Sequence, residues 1–139
     1  MTLMPFHLAI PVNSLAQASA FYGDLLGCAQ GRSASHWIDW DFFGHQLVTH
    51  LVAQMPSRPE HNEVDAHAVP VPHFGVVLNW HDWQQLAAKL QAHNITFMVE
   101  PYIRFKGQAG EQATMFFLDP AGNALEFKAF KDISQLFAS

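Results

Sequence analysis

A chain of 139 residues, half of them hydrophobic, has one domain's length and enough apolar material for a core. A formal charge of −5 with only seven Lys plus Arg excludes nucleic acid and an anionic membrane as main partners. The single cysteine, Cys28, rules out an intrachain disulfide. No apolar run approaches the roughly 18 residues of a spanning helix, and "MTLMPFHLAI" has no leader character, so the expected location is the cytoplasm.

In chain order, "HLAIPV" (7 to 12) predicts a strand. Asn13 or Ser14 then offers an N-cap for "LAQASAFYGDLLG", where Leu15, Ala18, Tyr22 and Leu25 share a face and Gly27 ends the helix. "SASHWIDWDFFG" and "HQLVTHLVAQ", separated by Gly44, are strand-like and complete a β-α-β-β-β block. Residues 55 to 69, rich in proline and charge, read as a connector. The pattern restarts with "HFGVVL" (73 to 78), with Asn79 at a cap position. A helix follows whose stripe is Trp83, Leu86, Ala87 and Leu90. "ITFMVEPYIRF", "ATMFFLDPAG" and "NALEFKAF" are three further strands, with Asp-Pro-Ala-Gly (119 to 122) as the turn between the last two. A short helix at 131 to 138 closes a single domain with modules at about 4–54 and 70–130.

The two halves superpose. His7 pairs with His73, Asn13 with Asn79, Asp41 with Asp119 and Gly44 with Gly122, the signature of a degenerate tandem repeat. Side chains alternate across a strand, so the bulky Leu8, Ile10 and Val12 must face the helix and His7 the opposite sheet face. The same parity sends Phe74, Val76 and Leu78 inward and His73 and Gly75 outward, and in the last strand it sends Glu126 and Lys128 to the outward side. Small residues beside the imidazoles, Ala9 and Gly75, are expected to leave room there. Each residue alone reads as an ordinary surface group. Two histidines and a carboxylate at repeat-related, parity-consistent positions make a metal-site composition.

The paired β-α-β-β-β units, "AFYGDLLG", "FFLDPAGNALEF", and His7, His73 and Glu126 resemble the vicinal oxygen chelate superfamily. That superfamily includes glyoxalases, fosfomycin-resistance transferases, bleomycin-resistance proteins and extradiol dioxygenases. "DFFGHQLVTHLV", "VPVPHFGVVL" and "GEQATMFFLDPAGNALEFKAF" are similar to its small extradiol-type dioxygenases. The resemblance implies an α+β fold of two tandem β-α-β-β-β modules, forming a curved mixed sheet around a metal-binding cavity. It further implies ligation by His7, His73 and Glu126, and a homodimer acting on a small-molecule substrate.

The repeat partner of Glu126 is Val48, which cannot bind a metal, so three protein ligands remain. Two His and one carboxylate match the facial triad of Fe(II) oxygenases, although Mn, Ni or Zn chemistry stays open and Gln46 offers a further oxygen or a substrate contact. For a catechol-like diol the expected base is His50, which shares the parity of Val48; His45 has the opposite parity. Tyr102 and Arg104, beyond a strand break at Pro101, are candidates for proton donor and anion clamp, and Lys128 for substrate contact or a pair with Glu126. Glu111 and Gln112 are candidates to hydrogen-bond a liganding histidine. In the connector, His61, Asp65 and His67 suggest a second metal site less well than a polar loop placed to gate the cavity. Trp37, Trp40, Phe42 and Phe43 are expected in the core, a pocket wall or a dimer contact, and Cys28 as a small packed hydrophobe. The remaining alternatives are a glyoxalase-like isomerase, a thiol transferase, and a metal-free binding protein of the bleomycin-resistance kind.

Overall fold

The computed structural model describes residues 2–57 and 60–139, so Arg58 and Pro59 of the expected connector, and Met1, lie outside the described residues. The chain divides into two compact units, one of residues 1–58 with 119–123, the other of 59–118 with 124–139.

In the first unit, β1 (His7–Val12) alternates as its sequence dictates: Ile10 and Val12 are buried, His7 and Ala9 exposed. Ser14, rather than Asn13, caps helix α1, its Oγ accepting from Gln17 N at 3.1 Å. The helix is α-helical over Leu15–Ala18 and continues with π winding over Ser19–Leu25. That winding advances the stripe by one residue. The buried set becomes Ala18, Phe21, Tyr22 and Leu26, displacing the Leu25 expected from a 3.6 period. Strands β2 (Ala29–Ala34), β3 (Trp37–Phe42) and β4 (His45–Leu51) follow. The β3–β4 turn holds Phe43 and Gly44 at φ 54° and 89°, and Asp41 Oδ1 accepts from Gly44 N at 2.8 Å. The strand order is β1-β4-β3-β2, with β1 and β4 parallel.

Behind this sheet Tyr22 is fully buried among Phe21, Trp40 and Phe42. Burial pushes its hydroxyl pKa well up, and the Asp119 carboxylate raises it further. The hydroxyl donates to Asp119 Oδ2 at 2.8 Å. Asp119 Oδ1 accepts from the backbone N–H groups of Ala121 and Asn123, and Asn123 Nδ2 donates to Pro11 O. The predicted Asp-Pro-Ala-Gly turn is therefore also a buried hydrogen-bond hub.

The second unit opens where the sequence predicts an irregular connector, with a hairpin of β5 (Glu60–Val64) and β6 (His67–Val71). Its turn residues, Asp65 and Ala66, stand at φ 50° and 63°. Without an Asn-Gly or Asp-Gly pair the turn carries no sequence signal for a two-residue hairpin. The "HFGVVL" segment runs beside β10 (Ala124–Phe130) through Phe74 N to Ala124 O, Glu126 N to Phe74 O and Lys128 N to Val76 O; only Val77–Leu78 (β7) forms regular strand. Asn79 caps α2 (Trp80–Ala92), whose buried stripe is Trp83, Leu86, Ala87 and Leu90 as the period predicts. Strands β8 (Phe97–Arg104) and β9 (Gln112–Leu118) complete an order of β7-β10-β9-β8, the same as in the first unit. Ile133–Gln135 adds a 3₁₀ turn capped by Asp132. The chain is α+β, built from two β-α-β-β-β units.

Candidate functional site

The outward face of the second unit's sheet carries most of the chemistry. His73 follows Pro72, joined to Val71 by a cis peptide bond, and its Nδ1 lies 2.6 Å from Pro70 O. A carbonyl oxygen can only accept, so Nδ1 donates to it and Nε2 points the other way. Nε2 lies 3.2 Å from Glu126 Oε1, with the His73 and Glu126 side chains 30% and 14% exposed. The other carboxylate oxygen, Oε2, accepts from Thr114 Oγ1, and the His73 ring stands edge-on to Phe116 at 5.0 Å. Parity brings this about: Glu126 pairs with Phe116 and Lys128 with Thr114, so all four share one face.

Gly75 stands opposite Glu126 in this ladder. A Cβ there would lie 1.6 Å from the Glu126 carbonyl oxygen. The glycine is needed for backbone approach, a reason that the strand parity alone does not give.

The first unit prepares His7 in the same way. Its Nδ1 donates to Gln46 Oε1 at 2.8 Å, leaving Nε2 free. Gln46 thus uses its amide oxygen to hold the imidazole. His7 pairs with Gln46, Ala9 with Val48 and Pro11 with His50, so His50 shares the His7 face and Val48 occupies the position of Glu126. His45 has the other parity, and its Nδ1 accepts from Phe6 N at 2.8 Å, closing the strand end.

Other expectations are corrected. The strand does not break at Pro101. A bulge between Val99 and Tyr102 lets it run to Arg104, with Tyr102 opposite Thr114 and Arg104 opposite Gln112. Glu111 Oε1 accepts from Gly107 N and Gln112 Nε2 donates to Gly110 O, so both serve their own loop, and the imidazoles are held instead by Pro70 O and Gln46 Oε1. Lys128 Nζ lies over the Phe130 ring at 5.9 Å, while Glu126 is paired with His73. Trp40 and Phe42 are core residues, and Trp40 Nε1 donates to Thr49 Oγ1.

The sequence reading missed what the hairpin does. Asp65 accepts from Tyr102 Oη at 3.0 Å and Arg104 Nη2 at 3.3 Å, and its Oδ2 lies 2.5 Å from Arg104 Nε. The Arg104 hydrogen bond, then that of Tyr102, holds the Asp65 carboxyl below its usual range; burial, then the Asp65 hydrogen bond, raises Tyr102. The His67 ring packs on Tyr102 at 5.0 Å, and Val69 joins Val99 and Phe116 in an apolar cluster against Tyr102.

The donor set fits a cation. Imidazole nitrogen and carboxylate oxygen are the donor types that divalent transition metals take, and Pro70 and Thr114 orient His73 and Glu126 in the second unit as Gln46 orients His7 in the first. Among the described residues no three or more His, Cys, Asp or Glu side chains are grouped so as to hold a metal ion.

Two β-α-β-β-β units with one strand order define a duplicated α+β chelate-type fold. The chain belongs to the Glyoxalase/Bleomycin resistance protein/Dioxygenase superfamily, whose model matches residues 5–127, and its fold is that of the vicinal oxygen chelate proteins. Members of this superfamily typically bind divalent metals, and many are enzymes. A glyoxalase/bleomycin resistance protein/dioxygenase from Alicyclobacillus acidocaldarius is 34% identical, with 96% of each chain covered and a TM-score of 0.76. The fosfomycin resistance protein FosX from Listeria monocytogenes is 15% identical over 97% of this chain and 98% of its own, with a TM-score of 0.69. A glyoxalase/dioxygenase from Nostoc punctiforme is 14% identical over 91% and 90%, with a TM-score of 0.68. No curated protein matches significantly. Among the described residues no helix is long and apolar enough to cross a membrane.

Proposed function

We propose that the chain is a metal-dependent enzyme of this superfamily, an extradiol-type dioxygenase that uses His7, His73 and Glu126 to hold Fe(II) and opens a catechol-like ring with dioxygen. The observation that carries the reading is the His73–Glu126 pair: an imidazole whose proton is fixed on Nδ1 turns Nε2 toward a carboxylate oxygen 3.2 Å away. Such a pair of electron-donating atoms is stabilised by a shared cation. His7 is the third proposed ligand because Gln46 fixes its proton on the same nitrogen. Val48 in place of a second carboxylate favours an open, three-ligand site over a four-ligand one.

Bound Fe(II) would supply Lewis acidity and a path for electrons from diol to dioxygen. The chain's own residues do the rest. His50, exposed on the His7 face of its sheet, is the proposed base that takes a diol proton. Tyr102 is the proposed proton donor, Arg104 the clamp for substrate charge, and Phe116 with Val99 and Val69 an apolar wall that excludes water. A homodimer in the cytoplasm is part of the same proposal, and light scattering should give twice the 15.6 kDa chain mass.

The test is anaerobic purification, metal analysis, reconstitution with Fe(II), and a catechol screen for oxygen uptake and ring-fission absorbance. His73→Ala and Glu126→Ala should each abolish stoichiometric metal binding, as should His7→Ala, while His50→Ala keeps the metal and slows turnover. Preference for Mn, Ni or Zn without oxygen uptake would move the assignment to an isomerase or thiol transferase. Ligand binding with no metal requirement would make it a binding protein.

A further inference from the structure

The Asp65 carboxylate is held as a substrate's oxyanion would be. Arg104 and Tyr102, two residues apart on β8 and so on one face, converge on it: Nη2 reaches Oδ1, Nε reaches Oδ2, and the phenol donates to Oδ2. The Nη2 and phenol contacts are hydrogen bonds and the Nε contact is an ion pair without hydrogen-bond alignment, so a guanidinium charge and a hydroxyl together hold the carboxylate. The Asp65 and Arg104 side chains are 38% and 21% exposed, so solutes can reach the pair.

Three further features set this contact apart from an ordinary ion pair. The carboxylate is presented from a turn in which Asp65 and Ala66 both adopt left-handed backbone, disfavoured above all for Ala66, so the turn holds the carboxylate in place at a conformational cost. The hairpin has only two strands, an element of marginal stability alone, and Val69 at its base packs into the Val99–Phe116 cluster while Asp65 ties down its tip. Beside the pair, His67 Nδ1 is buried and, among the described residues, has no hydrogen-bond partner.

We infer that Asp65 is a built-in competitor, occupying an anion subsite formed by Arg104 and Tyr102, and that the natural ligand carries a carboxylate or phosphate that displaces it and lifts the hairpin tip. Lifting the hairpin would uncover part of the Val69, Val99 and Phe116 cluster now buried against Tyr102, an apolar surface for an aryl or alkyl body behind that oxyanion. On the sheet face Tyr102 pairs with Thr114, which donates to Glu126, so the subsite lies beside the His73–Glu126 pair. That the ligand is also a diol rests on the dioxygenase reading; that it is an oxyanion does not.

Calorimetric titration of the full chain with benzoate and with phenyl phosphate, in buffer stripped of metal, tests this. Removing the competitor frees a subsite that is otherwise mostly filled, so Asp65→Gly, which suits the left-handed turn, and Asp65→Asn should bind one of the two probes about tenfold more tightly than the parent chain. Arg104→Met should lose that binding, and benzoate added to the parent chain should shift the amide resonances of residues 60–71. The preferred probe identifies the oxyanion. Folded Asp65 variants with no gain for either probe, or an Arg104→Met chain that still binds, would overturn the inference and leave a structural latch. Because no metal is present, a chain that gains benzoate affinity but never binds Fe(II) keeps the subsite and loses only the dioxygenase reading.

Discussion

Gly75 and Asp119 are the positions where one atom decides most. Gly75→Ala would drive a methyl into the Glu126 carbonyl, and backbone cannot retreat as a flexible side chain does. The expected cost is about 3 kcal/mol, the upper range for overpacking, read as a lowered urea midpoint with loss of metal binding. Asp119→Ala would strip partners from the buried Tyr22 hydroxyl and from the Ala121 and Asn123 amides, at about 2–4 kcal/mol. Tyr22 also sets an alkaline limit. Its hydroxyl pKa is raised in the folded chain, so above about 10 the unfolded chain releases a proton that the native one keeps, and stability falls as pH rises. Tyr22→Phe should flatten that fall in denaturation curves taken from pH 9 to 11. The glycine was visible in the sequence, but its reason was not: the contact joins residues 75 and 126, which only strand register brings together.

At the scale of elements, local rules worked where the chain obeys a single period. Helix α2 runs from its Asn79 cap along the predicted stripe, and Asn79→Ala should cost about 1 kcal/mol in thermal or urea unfolding, as loss of an N-cap does. In α1 the π winding broke that period and advanced the buried face to Phe21 and Leu26. The β5–β6 hairpin was illegible for a related reason. Its turn is Asp-Ala rather than Asn-Gly, its strands are polar, and what holds it is Asp65 reaching Arg104 and Tyr102 and Val69 reaching Phe116, contacts of long sequence separation. Since Asp65 titrates below its usual range, the latch should hold at neutral pH and release only in acid; hydrogen exchange of the hairpin amides should be slow at neutral pH and accelerate as pH falls below the ordinary carboxylate range, once the intrinsic pH dependence of exchange is removed.

For the whole molecule, duplication is the organising fact, and the proposed metal would act on stability as well as on chemistry. A cation bound only by the native state should stabilise it by about 2.7 kcal/mol at a hundredfold excess over Kd, so Fe(II) should raise the Tm of the parent chain and leave those of His73→Ala and Glu126→Ala unmoved. The sequence by itself determined the β-α-β-β-β order, the repeat, the helix-facing and outward parities, and the sharing of one face by His73 and Glu126, because these follow from the two-residue strand period and from turn residues adjacent in the chain. Tertiary structure alone decided that Pro70 and Gln46, and not Glu111 or Gln112, hydrogen-bond the two imidazoles, that Thr114 holds Glu126, and that Asp65 fills the grip of Arg104 and Tyr102. Each of those partners is chosen by chain crossing or strand register, and a hydrogen bond depends on tenths of an ångström that no residue pattern encodes.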